Sequence, residues 1–408
     1  MKCILCVLLF CVIVLCGDCF AEDSWTVNTI AYDVDSAPSI AVDINNNPIA
    51  AFTLGNIDPA LYTAAQTPAG YQVERVADIY PAFWPKIMVN SNNETSITFC
   101  QGSEIWYAVK GSWFGWSYWR LDGLEAGYQD ISLTDNDIPH LAYVNPSTRY
   151  VEHAFFDIHS QQWQRETLSG MGQMQTAYAC IDTDGSGRIL ISCFDYSKAE
   201  TFCAIYEDGF WKYLPAVEGF YSDCSFTSDG LPAIAYSIKR TLSLCYAVYV
   251  NDIIGWVETK IAPTTPQFKV SLRHSSTGIA GIAYIYQDKL MYAANVAGGW
   301  TTVQIDERGA YPELIFDRND KPLIAYSSYD YCIDKPVIKL AGIGLEGFNI
   351  TDLNNDKIVN FRDFAILAEY WLTALPEPDL TIGDFDRNAK IDALDLRWLG
   401  CNWLWQGD

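Results

Sequence analysis

The chain has 408 residues, more than most single-core domains hold, with half of them apolar and only 19% charged, a balance that favours packed sheets over disorder. Its 50 Asp and Glu against 26 Lys and Arg give a formal charge of -24. Such a field repels phosphate backbones and anionic lipid, which excludes nucleic acid and membrane surfaces as partners.

The N-terminus opens on Lys2, an apolar run from Ile4 to Cys16, and Cys19-Phe20-Ala21, with small residues where a signal peptidase reads. Residues 1–21 therefore read as an export signal cut after Ala21, which places the protein outside the cell, secreted or held at the cell surface. A lipoprotein signal fits less well, because Leu15 precedes Cys16 and Asp18 precedes Cys19 where a small residue is wanted. No stretch after the signal approaches the ~18 apolar residues of a membrane span, so no insertion is expected once it is cut. Of thirteen cysteines, those beyond the signal are Cys100, Cys180, Cys193, Cys203, Cys224, Cys245, Cys332 and Cys401. Export permits disulfides, yet several thiols sit where other repeats place apolar residues, as Cys224 matches Ile40, so buried thiols explain them equally well.

From residue 22 to 341 one pattern recurs seven times with a period in the mid-forties. The clearest copy runs Pro38-Ser39-Ile40-Ala41-Val42-Asp43, a polar turn, then Pro48-Ile49-Ala50-Ala51-Phe52. Equivalent second strands end near Phe99, Tyr143, Phe194, Tyr236, Tyr284 and Tyr326. A third strand carries an apolar-x-aromatic-Ala pattern, as in Ile105-Trp106-Tyr107-Ala108 and Leu290-Met291-Tyr292-Ala293, with looser versions at Leu61, Val151, Phe202 and Val337. A fourth begins with an aromatic at Tyr71, Trp116, Trp163, Trp211, Trp256 and Trp300, followed by alternating residues of high β propensity.

The seventh such aromatic is Trp25, ahead of the first complete copy, while the last copy stops after its third strand near Leu340. The N-terminal strand must therefore complete the last blade. Closing the ring in this way pairs both terminal edges, and a linear solenoid would have no use for the split. The expected fold is an all-β seven-bladed propeller closed by its N-terminal strand. Over about residues 25 to 341 the repeats resemble several exported bacterial propellers in their Asp-turn-Pro second strands and Gly-Trp fourth strands. That resemblance implies a fold and no particular reaction.

After a joint at 342–347 the composition switches, and residues 348–408 read as a separate small helical domain. Asp352, Asn354, Asp356, Ile358, Asn360 and Asp363 occupy positions 1, 3, 5, 7, 9 and 12 of a twelve-residue loop, and Asp384, Asp386, Asn388, Lys390, Asp392 and Asp395 repeat the set 32 residues later. Calcium takes six to eight oxygens, and such a loop supplies side-chain oxygens plus the position-7 carbonyl. Two copies in register outweigh a merely solvated acidic surface. Position 8 is apolar in each, Val359 and Ile391, which lets the paired loops touch. Phe361, Phe364, Leu367, Ala368 and Trp371 then mark one helix face, and Leu396, Leu399 and Trp403 a second.

With one loop and one helix per copy, this segment closely resembles a type I dockerin, an all-α module of EF-hand-like loop-helix repeats. The resemblance implies two bound Ca2+ ions and a cohesin-like protein or cell-surface receptor as partner. Position 6, where glycine would allow a positive φ, is Lys357 and Ala389, so weaker sites are expected. Positions 10 and 11, which dockerins commonly use to select a partner, are Phe361, Arg362, Ala393 and Leu394, although the apolar ones equally suit a core.

In propellers the start of each innermost strand faces one mouth of the central channel. There the register reads Ser39, Lys86, Asp130, Tyr178, Asp223, Lys269 and Glu313, with Trp84, Tyr128, Tyr221, Phe268 and Tyr311 just before them. Aromatic faces stack on sugar rings and carboxylates accept hydroxyl hydrogen bonds, so the mix suits a polysaccharide, although wedging between blades explains the aromatics as well. Asp130, Asp223 and Glu313 are the candidate carboxylates should the mouth be that of a glycoside hydrolase or polysaccharide lyase. A binding propeller, an enzyme and a protein-docking scaffold all remain open from sequence.

Overall fold

The computed structural model describes residues 24–406 apart from 35, 56–59, 68–69, 80–81, 112–114, 126–127, 176, 267, 297–298, 350, 376–382 and 386–388. The export signal and the expected ligands Asp386 and Asn388 fall outside the described residues.

Twenty-eight strands form seven four-stranded antiparallel sheets, and six of them use four consecutive strands. In the seventh, the strand Trp25–Tyr32 lies outside Lys335–Ile343, with Trp25 opposite Ile343 and Tyr32 opposite Val337. The first strand thus shuts the ring, as the split repeat requires. Its Ile30 and Ala31 join a core shared by blades 7 and 1 that also holds Phe52, Leu323 and Leu340. At the turns on one face the same seam is latched by Asn46, whose Nδ2 donates to Asp317 Oδ2 at 2.8 Å and whose Oδ1 accepts from Arg318 N at 2.7 Å.

The second-strand aromatics are the blade cores: Phe52, Phe99, Tyr143, Phe194, Tyr236, Tyr284 and Tyr326 are all fully buried. In three blades the hydroxyl of this residue reaches an acid on the outer strands: Tyr143 donates to Glu152 Oε2 at 2.7 Å, Tyr326 to Asp306 Oδ2 at 2.7 Å, and Tyr236 to Glu258. Third-strand residues Leu61, Ile105, Val151, Leu244, Leu290 and Val337 are buried beside them. In blade 4 that slot is filled by Thr201 rather than Phe202, which is only half-buried. Cys100, Cys180, Cys193, Cys203, Cys224 and Cys245 are buried thiols that serve as small apolar side chains in these cores.

The last propeller strand runs on to Ile343, and the joint that follows is held rather than free. Asn28, itself buried, donates to Glu346 O at 2.9 Å and accepts from Phe348 N at 2.9 Å. Beyond it lie two helices, α1 (Phe361–Glu369) and α2 (Ala393–Cys401). Each opens on a capping box, Asn360 with Asp363 and Asp392 with Asp395. Val359 and Ile391 are both fully buried in one core with Leu367, Phe385, Trp398 and Leu399. Their backbones pair crosswise: Val359 with the tail after α2, through Trp405 O and Leu404 N, and Ile391 with the tail after α1, through Leu372 N and Thr373 O.

The expected apolar face of α1 is not a core face. Only Leu367 of that set is buried, whereas Phe361, Phe364, Ala368 and Trp371 are exposed. In α2 Leu399 is buried as expected, but Leu396 is exposed and Trp398 is buried beside Leu399. Two nine-residue helices enclose a single small core, so each can bury only about one turn of side chains. That core also draws on the propeller: Ile333, from the hairpin between the last two strands, is buried in it, Tyr32 packs on Trp398 with ring centroids 4.0 Å apart, and Cys332 is disulfide-bonded to Cys401.

Candidate functional site

Two places gather polar side chains with an evident chemical purpose: the mouth of the central channel and the two acidic loops. Around the channel, four inner strands carry a backbone N–H that a side chain of the preceding blade accepts. Ser39 Oγ accepts from Ile87 N (3.1 Å), Asp130 Oδ2 from Ile181 N (3.1 Å), Asp223 Oδ2 from Leu272 N (2.9 Å) and Ser271 Oγ from Leu314 N (3.0 Å). Strand pairing places Cys180 and Ser271 in the same register as Ser39, so Tyr178 and Lys269 each stand two residues earlier than the repeat suggested.

The charged residues of this ring are paired with one another. Lys86 binds Glu313, which also accepts from Ser39 Oγ at 2.8 Å, and Asp130 lies 3.4 Å from the same ammonium. Across the channel Arg273 donates to Asp223 at 3.1 Å, with Lys269 at 3.9 Å. Burial opposes the charge on Asp223, but Lys269 and Arg273 outweigh it and hold the carboxyl at about 2. Burial likewise opposes the charge on Lys269, and Asp223 with Asp130 and Glu313 overcomes it, holding that ammonium well above its ordinary range. Asp130, Asp223 and Glu313 are thus brought together, as anions committed to cations and backbone N–H groups.

Above this ring six aromatic side chains, one from each of blades 2 to 7, meet at the mouth. Trp84 lies across it, with ring centroids 4.8 Å from Tyr128, 5.8 Å from Tyr311 and 6.2 Å from Tyr178. Tyr178 is 4.0 Å from Tyr128 and 6.1 Å from Tyr221, and Phe268 is 5.5 Å from Tyr311. All of them but Phe268 line a cavity of about 210 Å³ above Lys86, Lys269 and Glu313. Three of them reach inward by a device invisible in the repeat. Trp84, Tyr221 and Tyr311 have φ of 54°, 52° and 49°, and in each of those blades the ladder register shifts at that point, between Phe83 and Lys86, Phe220 and Asp223, and Ala310 and Glu313. A non-glycine residue held there costs roughly 1–2 kcal/mol, and strain of this kind gathers at binding sites.

In the first acidic loop Asp352 and Asp363 are buried. Asp352 accepts from Asp356 N (3.2 Å) and Lys357 N (2.8 Å), and Asp363 from Asn354 N (3.2 Å) and Asn360 N (2.8 Å). No Lys or Arg pairs with either among the described residues; Arg362 reaches only the rim, at Asp356 (3.0 Å). Burial pushes the Asp352 carboxyl up, and the neighbouring Asp363 and Asp356 add to it. Two buried acids facing a third, with amide and carbonyl oxygens around them, form an all-oxygen donor set that fits a hard divalent cation. The second loop repeats the build where it is described: Asp384 and Asp395 are fully buried, Asp384 accepts from Ala389 N (3.1 Å) and Asp395 from Asp392 N (2.9 Å). Lys357 and Ala389 sit at φ 64° and 61°, the conformation expected to favour glycine at position 6. Of the residues expected to select a partner, Phe361 and Leu394 are 76% and 55% exposed, and Arg362 and Ala393 are exposed as well, so none of them belongs to the core.

The fold and these loops define a modular protein, a closed propeller carrying a paired-loop module. Residues 350–400 match the dockerin type I domain family, so the chain is a dockerin-bearing seven-bladed β-propeller. Dockerin domains generally bind calcium, occur in extracellular and cell-surface proteins, and imply a cohesin-type partner. Among curated proteins none matches the chain by sequence. Solved structures share the propeller fold at low identity. Catalytically inactive virginiamycin B lyase from Staphylococcus aureus with quinupristin is 11% identical, with a TM-score of 0.54 over 78% of this chain and 99% of that one. Aleuria aurantia lectin with Fucα1-6GlcNAc is 12% identical (TM-score 0.46, 61% and 89% covered), and SapL1 lectin with α-methyl fucoside 11% (0.47, 67% and 97%). Among the described residues no helix is long and apolar enough to cross a membrane.

Proposed function

We propose that this protein is exported, folds its dockerin around two calcium ions, and is tethered by it to a cohesin-type partner, presenting the propeller mouth as a carbohydrate-binding surface for a complex that handles polysaccharide. Asp352, Asn354, Asp356, Asn360 and Asp363 with the Ile358 carbonyl would hold one ion, and Asp384, Asp386, Asn388, Asp392 and Asp395 with the Lys390 carbonyl the other. The disulfide between Cys332 and Cys401 supports export, because such bonds persist in oxidising compartments. The exposed Phe361, Arg362, Ala393 and Leu394 at the start of the two helices are the proposed partner contacts.

The convergence of aromatic rings from blades 2 to 5 and 7 on one cavity carries the carbohydrate reading. Flat apolar rings beside a few polar groups suit sugar faces edged with hydroxyls. Binding is favoured over hydrolysis because the three candidate carboxylates are each ion-paired, Asp130 and Glu313 with Lys86 and Asp223 with Arg273, and Asp130 and Asp223 are also buried and hydrogen-bonded to backbone. Screening the purified protein against a glycan panel, scoring both retention and release of reducing ends, tests this. Retention without release, weakened at least tenfold by Trp84→Ala, is expected; release of reducing ends or complete indifference to Trp84 would overturn it.

A further inference from the structure

The floor of the mouth holds three cations, and they are not equally satisfied. The Lys86 ammonium lies between Glu313 and Asp130. Arg273 donates to Asp223 at 3.1 Å and to Leu272 O at 2.7 Å. Lys269 differs: its closest carboxylate oxygen, Asp223 Oδ1, is 3.9 Å away, beyond hydrogen-bond reach, and that oxygen already accepts from Cys224 N at 3.0 Å. The Lys269 side chain is 21% exposed and forms part of the cavity wall. Its three donors are therefore left to whatever occupies the cavity.

A group entering here meets an ammonium beneath a rim of aromatic rings, among them the Tyr128, Tyr178, Tyr221 and Tyr311 phenols. A neutral sugar would give Lys269 ordinary hydroxyl contacts. An anionic oxygen would make charge-assisted hydrogen bonds, which are shorter and roughly twice as strong. The surrounding charge sharpens the choice, since a site with one under-coordinated cation in a strongly acidic protein rewards an anion only at that point. The mouth is also open on one side. Blade 1 presents Ala37-Pro38 where the other blades present aromatics, and a second cavity of about 370 Å³ adjoins there, sharing Ala37, Trp84 and Tyr311 with the first.

Resting on the carbohydrate reading of the mouth, we propose that its ligand is an acidic glycan, with the anionic group of one sugar ring seated on Lys269 Nζ and the chain leaving over the blade 1 notch past Trp84 and Tyr311. The negative group is a carboxylate or a sulfate. Retention of the full-length protein on uronate-containing and sulfated oligosaccharides, each paired with its carboxyl-reduced or desulfated counterpart, tests the proposal and distinguishes the two sources. Binding confined to acidic forms, lost at least tenfold in Lys269→Met and kept within about threefold in Lys269→Arg, is expected, with thermal melts showing that both variants fold. Equal binding of acidic and neutral forms, or a Lys269→Met protein that folds and binds as the parent does, would overturn the proposal while leaving the carbohydrate reading intact. Failure to retain any glycan would remove both.

Discussion

Buried carboxylates occur in both halves of this molecule, and they are balanced in opposite ways. In the propeller the buried Asp130 and Asp223, with the half-buried Glu313 beside them, are neutralised by Lys86, Lys269 and Arg273 from other blades, so the ring carries its own counter-charges. In the dockerin Asp352 and Asp363 are held by backbone N–H groups, and the positive charge must come from outside. The same residue type, equally removed from water, thus makes one domain self-sufficient and the other dependent on a cation. The lesson is that a buried acid reports function only through what opposes its charge.

The largest effect expected from breaking this contrast is chelation. Removing calcium should abolish the helical signal and cohesin-type binding of the dockerin, with affinity expected in the ~10⁻⁴ to 10⁻³ M range of extracellular modules and buried acids repelling one another when empty. Circular dichroism with and without chelator reads this. Within the propeller, Asp223→Ala leaves Arg273 and Lys269 without their partner, and denaturant unfolding should register a loss of roughly 3–5 kcal/mol. Cys401→Ser should destabilise the dockerin alone by about 2–4 kcal/mol, seen as a drop in its own thermal transition.

Acid distinguishes the domains in a further way. Burial first, then His153, lowers His140 from 6.5 to about 3, with partial relief from Glu166, and burial with Arg273 lowers His274 to about 4. His140 meets His153 Nε2 at 2.8 Å, and His274 meets Tyr246 OH at 2.9 Å. Both must stay neutral in the fold, so the unfolded chain binds more protons below 6.5. Their contribution is complete above pH 6.5 and is lost as pH falls toward 4 and 3. Propeller melting temperature should decline across that window, with a shallower slope in His140→Asn; an equal slope would contradict the assignment. The smallest effect is a gain. Lys357→Gly relieves a positive φ worth roughly 1–2 kcal/mol and should tighten calcium binding severalfold by calorimetry.

Much of the fold was legible because a propeller repeats its core. The aromatic closing each second strand, from Phe52 to Tyr326, marks the blade whatever the loops do, and Trp25 standing ahead of the first copy fixes the closure. The dockerin was legible for a similar reason, since coordination dictates the spacing of its acidic loops. What stayed hidden depends on local geometry that no spacing records. The bulges that swing Trp84, Tyr221 and Tyr311 into the mouth look like ordinary strand residues in the sequence. Apolar spacing over Phe361, Phe364 and Trp371 suggested a buried face, yet a module of two short helices buries little more than Leu367 and the inner side of α2. The pairing of Cys332 with Cys401 depends on a propeller hairpin reaching into the dockerin core, a contact between segments 69 residues apart.

Differential scanning calorimetry of the full-length protein in calcium and in chelator tests the division most directly. Two transitions are expected, with chelator lowering the dockerin transition and leaving that of the propeller in place. A chelator effect on the propeller transition, or none on either, would contradict it.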